Sequence, residues 1–437
     1  MQFVDTIYAL SSGRLPSGVA VVRISGPEVR FVVETIAGPV PRAGALSLRK
    51  LRASDGTIID TGLVVYFGAP RSFTGDDCAE FHVHGGRAVV SALLNALGGI
   101  DGVRAADAGE FTRRAFLNGK MDLVQAEALG DLIGAETEAQ RRMAIRAADG
   151  HVSRQYDEWR GRIMRIQAAI VADVDFGDEG DVPDSVAERV RENIADVQAE
   201  LERHLNSHRE AEIIRDGFRV VIIGPPNAGK SSLLNALAGR DVAIVTDEPG
   251  TTRDLVEVPL DLGGLKVIVT DTAGIRDSAG AVERIGITRA LQSAREADLV
   301  LMLRSAEDDG ELETGDWRDS IEVRSKVDLT PDDEEIMGNE VAVSSVTGAG
   351  IDELLGLIRA RAESATNGID SGPQRIRHRE ALRRCALALG RASVPVLPLE
   401  LRAEELRIAA MELGRITGRI DVEEVLGEVF RTFCIGK

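Results

Sequence analysis

The chain has 437 residues, 44% of them apolar and 28% charged, with a net charge of −19. That composition excludes wholesale disorder, and at roughly 150 residues per domain it predicts about three domains. No apolar run approaches the ~18–20 residues that span a bilayer, and Met1-Gln2-Phe3-Val4-Asp5 lacks the basic stretch and apolar core of a secretory signal, so no membrane association and a cytoplasmic location are expected. Cys78, Cys385 and Cys434 are too few and too scattered for a disulfide framework or a zinc cluster. The acidity is uneven: residues 301–340 hold 14 acids against 4 bases, and residues 171–185 hold 6 acids and no base. Residues 141–165 hold 7 arginines against 3 acids, and 371–400 hold 6 against 2, so a polyanion can still be met locally; solvated helix faces account for the same pattern.

Residues 1–118 read as mixed α/β, with short β-branched or aromatic runs at Gly18–Ile24, Gly62–Phe67 and Ala79–His84 and a helix over 88–97. Residues 119–213 have helical spacing, interrupted by an acidic, Gly-containing break at 175–184. Strands at Phe218–Ile223, Lys266–Thr270, Asp298–Leu303, Ser320–Val323 and Val341–Val343 alternate with helices across 214–368, which predicts a mainly parallel sheet. A polar linker, Ser364–Gln374, leads to a second helix-rich stretch over 369–437. The two helical stretches flank the α/β unit, so one helical domain with the α/β domain inserted into it is expected.

Gly224-Pro-Pro-Asn-Ala-Gly-Lys-Ser231 has P-loop spacing and follows an apolar strand. Backbone N–H groups of Asn227, Ala228, Gly229 and Ser232, with the following helix N-terminus, can cradle phosphates. Lys230 neutralises the β/γ phosphates and Ser231 can ligate Mg²⁺. Downstream, Gly250, Thr251 and Thr252 offer a hydroxyl for Mg²⁺, and Asp271-Thr272-Ala273-Gly274 offers a carboxylate and a γ-phosphate N–H. In Ser325-Lys326-Val327-Asp328 the Asp328 carboxylate can accept from guanine N1–H and N2–H₂, an edge adenine lacks. Ser344 and Ser345 can complete the base pocket. Together these segments resemble the five motifs of translation-factor-class GTPases, a Ras-like domain. Ser325 stands where that class usually has Asn, which predicts a shorter tie to the P-loop and weaker guanine binding. Ile275 stands where Ras-like proteins have their water-orienting Gln. Glu283 is the candidate replacement; a solvated helix-start residue paired with Arg284 is the alternative. His82 and His84 share one strand face and could ligate a metal, but no third ligand is recognisable.

The ending Phe433-Cys-Ile-Gly-Lys437 resembles the C-terminal signature of the MnmE (TrmE) family of tRNA-modification GTPases. The resemblance extends to Gly18-Val-Ala-Val-Val-Arg-Ile-Ser-Gly26, Phe81-His-Val-His-Gly-Gly86, Gly109-Glu-Phe-Thr-Arg-Arg-Ala-Phe-Leu-Asn-Gly-Lys120 and the P-loop, in order along essentially the whole chain. It implies a folate-binding, dimerising N-terminal domain, a helical domain and an inserted GTPase domain. It implies a homodimer, an FAD-containing MnmG (GidA)-like partner, and tRNA whose wobble uridine receives an aminomethyl-type group at C5 from a tetrahydrofolate one-carbon donor. Family folate contacts fall on Arg23, Glu80, Lys120 and Lys437, and the resemblance places Cys434, a possible functional thiol, near that site. The resemblance further implies K⁺-stimulated GTP hydrolysis on pairing of two GTPase domains. Asn227 matches a K⁺ ligand, the loop Thr246-Asp247-Glu248-Pro249-Gly250-Thr251-Thr252 supplies carbonyls of Thr246, Glu248 and Thr251, Ser231 and Thr252 match the Mg²⁺ ligands, and Glu283 matches the water-orienting carboxylate. The competing reading is a GTPase switch that binds ribosomal RNA or a membrane partner without one-carbon chemistry. A P-loop ATPase is disfavoured by Asp328.

Overall fold

A computed structural model describes residues 3–176, 184–244, 256–271, 291–306, 315–329, 340–366, 372–373, 375–420, 423–431, 433 and 436. The chain divides into two compact units, Met1–Gly130 with Ala147–Val171 and Leu406–Lys437, and Asp131–Arg146 with Ala172–Glu405. The helix-rich stretches are thus shared between the unit built on the N-terminal sheet and the unit built on the nucleotide-type sheet.

The first unit contains strands β1 (Thr6–Leu10), β2 (Ser17–Ser25), β3 (Ser47–Arg52), β4 (Ile58–Phe67), β5 (Cys78–Gly85) and β6 (Val103–Ala105) in the order β3-β4-β5-β2-β1-β6. Every pairing is antiparallel except β1 with β6. Helices α1 (Val29–Ala37) and α2 (Arg87–Gly98) cover one face, burying Val22, Ile24, Val32, Ile36, Phe81, Leu93 and Leu97 in one core. Alternation along β2 and β5 leaves the opposite face to Arg23, Glu80 and His82. Helix α3 (Glu110–Leu117) carries Arg114, which is 1% exposed. Such a cation is tolerated only when paired: Arg114 donates to the Asp5 carbonyl and to the carboxylates of Asp5 and Glu110, each at 2.9 Å, and lies 4.4 Å from the Phe3 ring centre. Arg104 completes the network on Asp5 and Glu110.

The C-terminus docks on this unit. The Gly436 carbonyl accepts from Ser11 Oγ at 2.8 Å, and a Cβ on Gly436 would meet the Leu10 carbonyl at 2.1 Å, so only glycine fits the approach. Phe433 packs on Gly130, and Phe430 joins Leu123, Ala126 and Leu426 in a buried cluster.

The second unit contains helices α4 (Leu123–Ile133) in part, α5 (Glu138–Ala148) in part, and α7 (Asp184–Asn206), α8 (His208–Asp216), α9 (Lys230–Ala238), α10 (Ile351–Ala365), α11 (Ile376–Ala392) and α12 (Leu399–Thr417) in whole or part; α6 (His151–Phe176) falls mainly in the first unit. Its sheet has the order β12-β11-β10-β7-β9-β8, from β7 (Phe218–Ile223), β8 (Val256–Leu262), β9 (Leu265–Asp271), β10 (Leu299–Ser305), β11 (Ser320–Ser325) and β12 (Val341–Ala342). All pairs are parallel except β8 with β9. Parallel strands are buried on both faces and so read as continuous apolar runs, which is why β7 and β10 were legible in the sequence while β8, holding Pro259, was not. The expected polar linker is partly packed: α10 runs to Ala365, and Gly372 is buried against Ser207. Among the described residues no helix is long and apolar enough to cross a membrane.

Burial pushes the Glu110 carboxyl up, but hydrogen bonds and charge from Arg104, the Asp107 N–H and Arg114 outweigh it and hold it at about 2, below its ordinary 4.5. A carboxylate with a lowered folded-state pKa stabilises the fold above its unfolded value and loses that contribution as pH falls. Thermal unfolding followed against pH is therefore expected to lose up to about 3 kcal/mol between pH ~4.5 and ~2 through this group, and Glu110→Gln is expected to lower stability at neutral pH while flattening that acid limb.

Candidate nucleotide and folate sites

The phosphate loop is built by one close approach. Gly224 ends β7 at φ 151, and a Cβ there would lie 2.1 Å from the Leu303 carbonyl of β10. The loop then passes Asn227 at φ 64 and reaches Gly229 at φ 89, which caps α9 in the left-handed region. Asn227 and Lys326, at φ 59, are the described non-glycine residues at positive φ, and both stand in segments the sequence assigns to nucleotide binding. Ala228 is buried; Ser232 is exposed in the first turn of α9. Lys230 is 7% exposed, and its Nζ donates to the carbonyls of Gly224 (2.8 Å) and Pro225 (2.7 Å).

Parallel pairing of β7 with β9 brings the expected metal ligands together. Ser231 Oγ donates to Asp271 Oδ2 at 2.5 Å, with Asp271 2% exposed. This donor set is hard oxygen on a phosphate loop and fits Mg²⁺.

The base loops are linked in the same way. Ser325 is 2% exposed; its hydroxyl contacts the Ala228 carbonyl at 2.5 Å and the Arg304 carbonyl at 3.1 Å. The tie to the P-loop is thus present despite the loss of Asn, but a serine hydroxyl has one proton for two acceptors. Ser344 is fully buried, donates to Asp328 Oδ1 at 2.6 Å, and accepts the N–H groups of Val346 (3.3 Å) and Thr347 (3.1 Å). Asp328 is exposed, Ser345 and Lys326 half-buried. The sequence reading missed Arg304 and Glu340, whose forked ion pair (2.5 and 2.6 Å) anchors this corner of the sheet; no motif marks them.

On the N-terminal sheet, Arg23 and Glu80 are direct cross-strand partners. Arg23 Nε and its terminal nitrogen reach Glu80 Oε1 at 3.0 and 2.9 Å. The guanidinium lies 5.2 Å from the Phe73 ring centre and 5.9 Å from that of Phe111. Glu80 Oε2 also meets His82 Nε2 at 3.2 Å, and His84 pairs with Asp60, so each histidine of the alternating pair faces a carboxylate. An ionised carboxylate has about four acceptor positions, so Glu80 keeps capacity for a pterin-like N–H pair beside the two aromatic rings. Lys120 Nζ donates to the Pro70 carbonyl at 2.9 Å on the loop that also carries Phe73. Phe73 and Phe111 were not singled out by sequence reasoning as site residues, and His82 was read only as a possible metal ligand; Phe111 and His82 lie inside the quoted motifs. Thr246, Asp247, Glu248, Pro249, Gly250, Thr251, Thr252, Thr272, Ala273, Gly274, Glu283, Cys434 and Lys437 lie outside the described residues.

Strand, glycine loop, helix, a paired Ser and Asp, and a carboxylate-bearing base loop define a P-loop GTPase-type domain appended to a mixed sheet and helices. A family model described as the MnmE helical domain matches residues 123–434, and one described as the GTP-binding protein TrmE N-terminus matches residues 6–120. The tRNA modification GTPase MnmE of Mesorhizobium japonicum is 54% identical over 439 residues, covering 99% of each chain. That of Brucella anthropi is 52% identical over 436 residues, covering 99% of this chain and 98% of the relative. The chain belongs to the MnmE family.

Ser325→Ala is expected to weaken GTP binding about 5- to 10-fold, the value of one buried hydrogen bond, with kcat changed less than KM; nucleotide titration and steady-state hydrolysis check it. Gly224→Ala is expected to abolish nucleotide binding, since the loop must leave β10 to admit the methyl group; the same titration reads it.

Proposed function

We propose that the chain hydrolyses GTP within the modification of C5 of the wobble uridine of certain tRNAs, and that its N-terminal sheet holds the tetrahydrofolate derivative that donates the one-carbon unit. The observation that carries the reading is the Arg23–Glu80 pair beside Phe73 and Phe111. A nucleotide site alone would serve any GTPase switch, whereas a forked carboxylate beside aromatic rings suits a pterin, and Arg23, Lys120 and Lys437 suit the carboxylates of its glutamate tail. The domain limits at 118, 213 and 368 belong to the same reading.

The P-loop N–H groups and Lys230 bind the β/γ phosphates. Ser231 and Thr252, with Asp271 behind them, hold Mg²⁺. Asn227 and the carbonyls of Thr246, Glu248 and Thr251 hold K⁺. Asp328 reads the guanine edge, with Ser325 tying its loop to Ala228 and Ser344 and Ser345 closing the pocket. Thr272, Ala273 and Gly274 meet the γ-phosphate side, and Glu283 orients the attacking water in place of the absent Gln. When bound, Mg²⁺ would neutralise charge on the β/γ phosphates, and K⁺ would add the positive charge that an arginine finger supplies elsewhere, a contribution on the order of 10³–10⁵ in rate. Two copies of the chain form the dimer, and their GTPase domains approach one another to complete hydrolysis. The flavin belongs to an MnmG-like partner, so the new carbon bond is not formed by this chain alone. The arginine-rich stretches 141–165 and 371–400 are the proposed contacts for tRNA or that partner. No membrane is involved and the setting is cytoplasmic.

Calorimetric titration of 5-formyltetrahydrofolate into the full chain tests the reading. Saturable binding that Arg23→Ala abolishes is the expected result. Absence of binding to a folded dimer overturns the folate assignment and leaves a GTPase switch.

A further inference from the structure

The β8–β9 hairpin is gripped at its turn by the start of α5, within one compact unit. Gly263 (φ 71) and Gly264 (φ 87) form the turn, closed by the Gly264 N–H on Asp261 Oδ1 at 2.7 Å. The Gly264 carbonyl accepts from the Ala139 N–H at 3.0 Å. Next to it, Lys266 Nζ lies 2.5 Å from Glu136 Oε2. A Cβ on Gly264 would meet Glu138 Cβ at 3.4 Å, an ordinary van der Waals contact, so the turn and the first turn of α5 lie side by side.

The gripping segment is itself held. Gln140 Oε1 accepts the N–H groups of Glu136 (2.8 Å) and Thr137 (3.1 Å), and its amide donates to the Arg215 carbonyl at 2.8 Å. Asp131 pairs with Arg375 at 2.7 Å. Residues 136–140 are therefore a fixed seat for the hairpin turn.

The other end of the hairpin is the nucleotide site. β9 is hydrogen-bonded along its length to β7 on one side and β8 on the other. β9 is one continuous strand, so the hairpin turn beside Lys266 and Asp271 are two ends of a single element, about 17 Å apart at ~3.3 Å per residue, and a tilt of the hairpin on its seat reaches both ends. Asp271 is the carboxylate that meets Ser231. Lys266 and Glu136 are 20% and 29% exposed, and an ion pair so placed adds little to overall stability. Its consequence is geometric.

We propose that Glu136 and Lys266 are positioning residues of the nucleotide site: the seat at the hairpin turn sets Asp271 against Ser231, and nucleotide with its metal alters the seat in return. The reciprocity follows from linkage between two sites on one element. The inference rests on the nucleotide reading above.

Two measurements on the full chain test it. Hydrogen–deuterium exchange is compared without nucleotide and with GDP and Mg²⁺. The expected result is slower exchange at the P-loop together with a change of about 3-fold or more at residues 136–141. P-loop protection with no change at 136–141 overturns this inference alone; no response at the P-loop overturns the nucleotide reading and this inference with it. The second measurement is the Mg²⁺ concentration for half-maximal GTP hydrolysis. Glu136→Gln and Lys266→Gln are each expected to raise it about 3- to 5-fold, and the exchanged pair Glu136→Lys with Lys266→Glu to return it to within about 2-fold of wild type. Unchanged Mg²⁺ dependence in the single variants, or an exchanged pair that unfolds at the wild-type temperature yet restores nothing, overturns the proposal.

Discussion

The nucleotide-type sheet depends on one steric constraint, the contact of Gly224 with the Leu303 carbonyl. Because no side chain fits there, the chain leaves β7 flush against β10 and turns at once into the phosphate loop. That approach brings Ala228 under Ser325 and Ser231 opposite Asp271. The site is thus a product of parallel strand pairing: each functional group sits at or just beyond the C-terminal end of a strand, where open α/β sheets gather their ligands.

The N-terminal sheet solves a different problem with charge. Arg114 is buried under the N-terminal strand and is satisfied only because Asp5, Glu110 and the Phe3 ring surround it. The motif Gly109–Lys120 therefore has a structural load, holding β1 and its neighbours, as well as the site residue Lys120. Its first residue, Gly109 at φ 68, lets the Phe430 backbone approach closely, so the same motif seats the C-terminal helix. The Arg23–Glu80 pair lies on the face of the sheet that α1 and α2 do not cover. Half-burial leaves these charges strong enough to recognise a polar ring and accessible enough to meet one.

The departure at position 325 is milder than its sequence implies. A shorter side chain predicts a weaker tie between base loop and P-loop, and the hydroxyl nevertheless reaches Ala228. What changes is donor count: asparagine offers two protons and serine one. Around it, the Arg304–Glu340 fork and the Ser344–Asp328 bond add to the hold on the base corner.

Several features were determined by the sequence itself. β7, β10 and the P-loop were legible because buried parallel strands are largely apolar runs and the glycine spacing has one mechanical use, and β9 and β11 because β-branched residues recur at every second position along the strand. The family signatures fixed the order of the parts. β1, β3 and β8 were not legible: Ser47–Arg52 is mostly polar, and Val256–Leu262 contains a proline that only an edge strand tolerates. Only the tertiary structure decided that Arg23 and Glu80 face each other across 57 residues, that Ser325 donates to a carbonyl 97 residues away, and that residues 136–140 seat a hairpin turn. Each is a contact between segments distant in the chain, and strand register and side-chain direction, which no local pattern encodes, select which residues meet.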